Sequence, residues 1–399
     1  MYSLQLSAEQ LEFRDTVRGF VEDEVKPVTL KADRLDLGDR TLPLGVLDKA
    51  SQLGLRALAL PEELGGVGGD ALTCCIVTEE LAAGDADIAA VLTETSTLSR
   101  ILFGAMTPQQ RERLLPKFLA DDRYHLARGC REPGDDSALG VNYHRPAAEM
   151  RLSTAAIRDG DDWIVNGAKN FVANAPIAKL IAVEARTDGG GALFLMTPDT
   201  PGLTVTEQGE PRWYHGCCGR LTLKDVRVPA GDVVSSIGGD LGRGVPSHSA
   251  LNLGIGRAAY EAALEYASLR VQGGRPIIEH QAIGAKLAEV AITLEVARNT
   301  IWQAAWASDH PEAFADRSLS DLPLTTIARV FVSEALYRAT KDAAECFGAM
   351  GVMRDMPLQK YINDARICLY SGDGTADARL RVAEALIDFR RGPSTLAAE

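Results

Sequence analysis

Asp364-Ala-Arg-Ile-Cys-Leu-Tyr-Ser-Gly-Asp-Gly-Thr-Ala-Asp377 ends one helical pattern and, after two closely spaced glycines, begins another. Asp373 lies between those glycines, in a loop that can hold one charged oxygen against a flat cofactor. Thr375 stands at the start of the last helix, where backbone N–H groups suit phosphate whatever the side chains. The plainer alternative is that Asp373 or Thr375 caps that helix, which need not exclude a chemical role.

Outward from this junction the chain is helical. Long apolar-periodic patterns cover about 251–270, 277–308, 322–349 and 375–390, with a short one near 357–367, which suggests a bundle in which each helix buries one stripe. Before the glycine-rich stretch at 238–244 the pattern changes. Met150–Ile157, Trp163–Asn166, Leu180–Ala185, Ala192–Met196, Leu203–Thr206 and Leu221–Val228 are short alternating or β-branched runs, broken by Asp-Gly and Pro-Gly steps. They predict an antiparallel β-domain. Upstream the helical spacing returns: Ser7 and Gln10 form a capping box for a helix expected to stop at Pro27, and Thr107 and Gln110 form another. The reading is therefore α+β and multidomain: an N-terminal α-helical domain (1–120), a middle antiparallel β-domain (121–235) and a C-terminal four-helix bundle (236–399).

The 399 residues are 46% hydrophobic and 24% charged, as in a globular protein with more than one core. A net charge of −13 repels phosphate backbones and anionic surfaces, so neither nucleic acid nor membrane is expected as a partner. No stretch has the apolar length to span a bilayer, and Met1–Gln10 does not read as a signal segment. The seven cysteines, odd in number and without C-x-x-C spacing, fit reduced thiols in a cytoplasmic protein and predict no metal site.

The α, then β, then α order and the Asp364–Ile367 motif with its turn resemble the acyl-CoA dehydrogenase superfamily over essentially the whole chain. The resemblance implies FAD as cofactor and an acyl thioester, carried on CoA or on a carrier protein, as substrate. Asp373 would take the α-proton, while Gly372 and Tyr370 would lie on the substrate side. Thr375 and Asp377 match positions that contact the FAD diphosphate. Arg131-Glu-Pro-Gly-Asp-Asp-Ser137 stands where the family has a loop touching flavin and thioester. Ser137 is kept, but Arg131 replaces a flavin-bonding threonine; the arginine either meets the flavin as a cation or turns out to Asp135 or Asp136. Phe171 in Lys169–Pro176 matches a ring that packs on the flavin, and Ala173 replaces a second threonine.

Arg270, in Arg-x-Gln form, and Gln281 match a signature that crosses a subunit boundary to the FAD pyrophosphate, and Glu345 and Gly348 match a turn reaching the partner's cofactor. Glu345 takes the place of a glutamine, so its charge needs an offset from Arg270 or Arg275. His280 reads as structural. Tyr214, His215 and Cys217, in a loop that departs from the family pattern, are candidates for the substrate pocket. Cofactor motifs divided between subunits imply a homotetramer or homodimer, and the electron acceptor in the family is often an electron-transferring flavoprotein. The two missing threonines keep open a monooxygenase or a skeleton-modifying reaction on the same fold. A non-catalytic flavin- or thioester-binding protein is the remaining alternative.

Overall fold

The computed structural model describes residues 5–36, 38, 40–133, 152–209, 214–234, 245–310, 312, 323–353, 355–371 and 374–386. Ser137, Gly372 and Asp373 lie outside the described residues, as does the side chain of Asp377.

Helix α1 (Ala8–Phe20) starts at the expected box, with Gln10 N–H on Ser7 Oγ at 3.1 Å and Ser7 N–H on Gln10 Oε1 at 3.0 Å. It does not stop at Pro27. The turn Val21–Val25 is wound as a π-helix, with the Lys26 N–H on the Val21 carbonyl, and leads into α2 (Lys26–Thr29). That extra residue puts Pro27 in a new first turn, where its missing N–H costs nothing. Then follow α3 (Leu44–Gln52), α4 (Ala71–Gly84), α5 (Ala86–Ala105) and α6 (Pro108–Ala120). Asp85 breaks α4 from α5: its Oδ1 accepts the N–H groups of Asp87 and Ile88, each at 3.0 Å.

The sheet comprises β1 (His125–Gly129), β2 (Ala155–Asp159), β3 (Asp162–Ala173), β4 (Ala178–Thr187), β5 (Gly190–Met196), β6 (Leu203–Glu207), β7 (Cys218–Pro229) and β8 (Val233–Val234). Its order is β6-β7-β3-β2-β4-β5-β8, with β1 beside β4. It is mixed rather than purely antiparallel, because β1 and β2 both pair parallel to β4. Parallel neighbours need a long connection, and the chain between β1 and β4 is long enough to supply one. On β7, Leu221 and Leu223 point inward, then Val226 and Val228 do, so the alternation slips by one at Asp225. Asp225 takes a positive φ of 50°, and its N–H is held by Asn166 Oδ1 at 2.8 Å, which fixes the bulge.

The remaining elements are α7 (Pro246–Leu269), the hairpin β9 (Val271–Gln272) and β10 (Arg275–Pro276), α8 (Gln281–Asp309), α9 (Leu324–Glu345), α10 (Leu358–Tyr370) and α11 (Gly374–Leu386). The chain divides into two compact units. The helical unit takes Met1–Val46, Asp70–Ala90 and Gly244–Val382, and the sheet unit takes Leu47–Gly69, Val91–Arg243 and Ala383–Glu399. In the helical unit α4 and α7 nearly touch: a Cβ at Gly254 would meet the Glu79 carbonyl oxygen at 2.3 Å, so no other residue fits without displacing a helix. Glu79 and Glu80 on α4 are ion-paired with Arg298 of α8 at 2.8 Å, Arg257 of α7 at 2.7 Å and Arg18 of α1 at 2.7 Å. Acidic residues buried in a helix thereby tie three neighbours to it.

Candidate active site

In the sheet unit the key residue is Glu132, to which the sequence assigns no role. Glu132 is 6% exposed and accepts four bonds: Lys169 Nζ at 2.8 Å, Ser153 N–H and Oγ each at 2.6 Å, and Thr154 N–H at 2.8 Å. Burial by itself would raise its carboxyl, but the bonds from Lys169, Ser153 and Thr154 outweigh that and hold it at about 2. Lys169 is completely buried, where an unpaired ammonium would be costly, so each charge requires the other. A lysine amid the residues of a strand was the available signal; its partner, 37 positions away, was not visible in the sequence.

This pair sits under the segment expected to meet the flavin. The Arg131 carbonyl accepts the Asn170 N–H at 2.8 Å, and the ladder of β3 with β7 shifts register between Lys169 and Val172. At that irregularity Phe171 takes φ 52° and Asn174 takes φ 61°. A phenylalanine in left-handed backbone is strained by roughly 1–3 kcal/mol and persists only where its surroundings dictate it. Here the Lys169–Glu132 pair holds one side. On the other, Asn174 Nδ2 donates to the Val91 carbonyl and Thr95 Oγ1, both at 3.1 Å, and to the Leu126 carbonyl at 3.4 Å. The Arg131 guanidinium lies 5.9 Å from the Phe171 ring centroid, and both residues are half-buried.

Ala173 is paired with Cys218 across β3 and β7, and the Cys217 carbonyl accepts the Asn174 N–H at 3.0 Å, so the Tyr214–Cys217 turn adjoins the same end of β3. Tyr214 donates to the Gln208 carbonyl, and His215 is half-buried beside it. Burial pushes the Cys218 thiol up to about 12, which leaves it protonated and poorly nucleophilic. Beneath the turn His125, with Nδ1 3.2 Å from Thr95 Oγ1, is held near 4, first by burial and then by the Arg56 charge.

The helical unit holds the remaining candidates in two groups. The first is at the C-terminal end of α7. The Arg270 side chain is exposed and makes no hydrogen bond or ion pair among the described residues. Gly273 and Gly274, at φ 65° and 82°, form the tight turn between β9 and β10, a conformation that favours glycine. His280 is structural as expected: Nε2 lies 2.9 Å from the Gln272 carbonyl and Nδ1 3.4 Å from Arg275. Gln281 opens α8. Glu345 is offset by Lys286 rather than by Arg270 or Arg275, and that bond holds its carboxyl below the usual range. Tyr266 stacks on Phe347 at 4.2 Å, beside Gly348.

The second group is at the other end of the bundle. Asp364 and Lys360 of α10 are buried, with Asp364 accepting Arg40 Nη1 at 2.5 Å and Lys360 Nζ at 2.8 Å, while Lys360 also reaches Asp85 at 3.2 Å. This cluster anchors α10. At the helix end Arg329 of α9 donates to the Ser371 carbonyl, which also accepts the Gly374 N–H at 3.4 Å. Tyr370 is 57% exposed. Gly374 takes φ 71° where α11 begins, and Thr375 follows it at a helix start.

Helices α7 and α9 run in step. A Cβ at Gly256 would lie 3.2 Å from Leu336 (336 − 256 = 80), and Tyr266 stacks on Phe347 (347 − 266 = 81). Arg329 therefore lies level with about residue 249 of α7, some twenty residues and roughly 30 Å before Arg270. The Arg270–Gln281–Glu345–Gly348 group and the Tyr370–Ser371–Thr375 group are thus at opposite ends of one bundle. The residues present suit a dinucleotide cofactor. An uncommitted guanidinium at Arg270 and a helix N-terminus at Gly374 are donors for diphosphate, and a strained aromatic with a cation over it at Phe171 and Arg131 suits a flat ring.

Three family models match the chain: the acyl-CoA dehydrogenase N-terminal domain at residues 7–122, its middle domain at 146–226 and its C-terminal domain at 235–387. A probable acyl-CoA dehydrogenase of Bacillus subtilis (strain 168) is 30% identical, over 96% of this chain and 100% of its own. The mitochondrial short-chain specific acyl-CoA dehydrogenase of Bos taurus is 31% identical, over 98% of this chain and 92% of its own. The structure of butyryl-CoA dehydrogenase from Megasphaera elsdenii is similar with a TM-score of 0.81 and 26% identity, covering 97% of this chain and 100% of that one. No helix among the described residues is long and apolar enough to cross a membrane.

Proposed function

The chain belongs to the acyl-CoA dehydrogenase family and with it is an FAD-dependent oxidoreductase, and we propose that it carries out α,β-dehydrogenation of an acyl thioester with Asp373 as the base. The assignment is supported by the fixed residues that flank positions 372–373 in the chain. On one side Ser371 is fixed by Arg329 at the end of the charge-anchored α10, and on the other Gly374 is bonded back to Ser371. A base needs a defined position more than a special pKa, because a misplacement of ~1 Å can cost roughly a hundredfold.

Bound FAD would supply the hydride acceptor, held by Phe171, Ala173, Arg131 and Ser137 at the ring and by Thr375 and Asp377 at the diphosphate. Arg270, Gln281, Glu345 and Gly348 would serve a second copy's cofactor, since roughly 30 Å separates them from the Thr375 end. That separation supports a homo-oligomer, a tetramer or a dimer. Tyr370, Gly372, Ser137, Tyr214 and His215 would line the acyl side. We keep the division into helical, sheet and bundle domains at 1–120, 121–235 and 236–399, a cytoplasmic location, CoA or a carrier protein as the thioester carrier, and an electron-transferring flavoprotein as acceptor.

The missing hydroxyls at Arg131 and Ala173 favour a second reading on the same scaffold, an oxygen-using or skeleton-modifying reaction. The test is an anaerobic titration of the yellow protein with a panel of acyl-CoA and acyl-carrier thioesters, followed at the flavin absorbance. Bleaching without oxygen, with catalytic transfer to an electron-transferring flavoprotein, is the expected result. Product formed only when oxygen is consumed would transfer the assignment to the second reading.

A further inference from the structure

Asn252 and Ser249 stand out in the helical unit. They lie one turn apart on α7, 1% and 4% exposed. Neither Oδ1 nor Nδ2 of Asn252, nor Oγ of Ser249, has a hydrogen-bond partner, so an entire carboxamide is buried and unsatisfied. Leaving a buried donor or acceptor without a partner is costly, and such groups persist where something else completes them.

Their location indicates what that is. By the step of about 80 between α7 and α9, Ser249 and Asn252 are level with residues 329–332 of α9, and Arg329 is the residue that holds the Ser371 carbonyl. Asn252 precedes Tyr266 by about four helical turns, so the two share one flank of α7 to within about 40°. Tyr266 stacks on Phe347, on the side of α9. The orphaned carboxamide is thus at the end of the bundle from which the chain passes to Asp373.

We infer that Asn252, supported by Ser249, is a specificity-determining contact for the acyl group, offering one donor and one acceptor to a hydroxyl, amine or amide on the acyl chain. The preferred substrate is then a thioester of a polar-substituted acid rather than of a plain hydrocarbon acid. This inference rests on the dehydrogenase reading, because Asp373 is what ties this end of the bundle to the reacting carbon. A site built to hydrogen-bond a substituent rejects the analogue lacking it far more strongly than an apolar pocket rejects a methylene.

The test compares butyryl-CoA with 4-hydroxybutyryl-CoA on the purified holoprotein, reading the dissociation constant by calorimetry and flavin bleaching by absorbance. The wild type is expected to bind the hydroxylated thioester at least about tenfold more tightly, and Asn252→Leu to erase that preference. The same variant should melt higher than the wild type, because an apolar side chain of similar size replaces unsatisfied polar atoms. Ser249→Ala should weaken the preference in the same direction and provides a second reading if Asn252→Leu does not fold. Bleaching by both thioesters with no preference overturns the inference and leaves the dehydrogenase reading intact. Binding of neither thioester, while another acyl-CoA or acyl-carrier thioester bleaches the flavin, also overturns the inference and leaves the dehydrogenase reading intact; no bleaching by any thioester of the panel overturns both. A lower melting temperature for Asn252→Leu with no preference in the wild type assigns the carboxamide to a structural water and also overturns the inference.

Discussion

The side chains of Glu132 in the sheet unit and Asn252 in the helical unit are buried almost equally, yet the first accepts four hydrogen bonds and the second makes none. The contrast separates two uses of a buried polar group. Around Glu132 every charge is balanced within the fold, and the result is a rigid shelf under Phe171 and Arg131. Around Asn252 the fold leaves polar capacity unfilled, as a protein does where a ligand is to complete it.

Breaking the satisfied side should have the largest effect. Glu132→Gln leaves the completely buried Lys169 without its countercharge, which typically costs about 3–5 kcal/mol. Chemical denaturation is expected to show that loss, with release of the flavin. Unchanged stability would mean that Lys169 finds another partner and that the shelf is not held by this pair.

Acid should attack the same region in two steps. His125 has a folded pKa of about 4 against an ordinary 6.5, so between those values the unfolded chain binds the extra proton. Its contribution is present above pH 6.5 and lost as pH falls toward 4, by at most about 3 kcal/mol. Glu132, depressed to about 2 from 4.5, contributes above pH 4.5 and loses that contribution as pH falls through about 2. Melting temperatures measured from pH 7 to 4 should therefore fall, and His125→Gln should flatten the fall. An identical slope in the variant would remove His125 as its cause.

The smallest effect is expected at Glu345, whose ion pair with Lys286 is at the surface. Glu345→Gln should leave the melting temperature unchanged within error. A clear loss of FAD in that variant, rather than of stability, would sharpen the comparison by showing that the charge serves the cofactor.

Much of the fold could be read locally. The capping boxes at Ser7 and Thr107 and most of the strands depend on neighbours within a few residues, and they appear as expected. The errors arise where distant partners decide. His125–Gly129 carries no clear alternation, and it becomes a strand because β4 offers a parallel edge. The stop expected at Pro27 yields to a π turn. In the site, the structure brings Arg131, Phe171, Ala173 and the Tyr214–His215 turn together, and their motifs were legible. The Lys169–Glu132 pair, the Arg40–Asp364–Lys360 cluster and the Arg329 clamp were not, because each joins residues that are far apart in the chain or carry no motif.

The most direct test of the central claim is stopped-flow reduction of the flavin by a thioester that bleaches the wild type, compared with Asp373→Asn. The account predicts unchanged thioester binding and a rate lower by roughly 10²–10⁴, the usual range for a lost general base. Equal rates in the two proteins would contradict it.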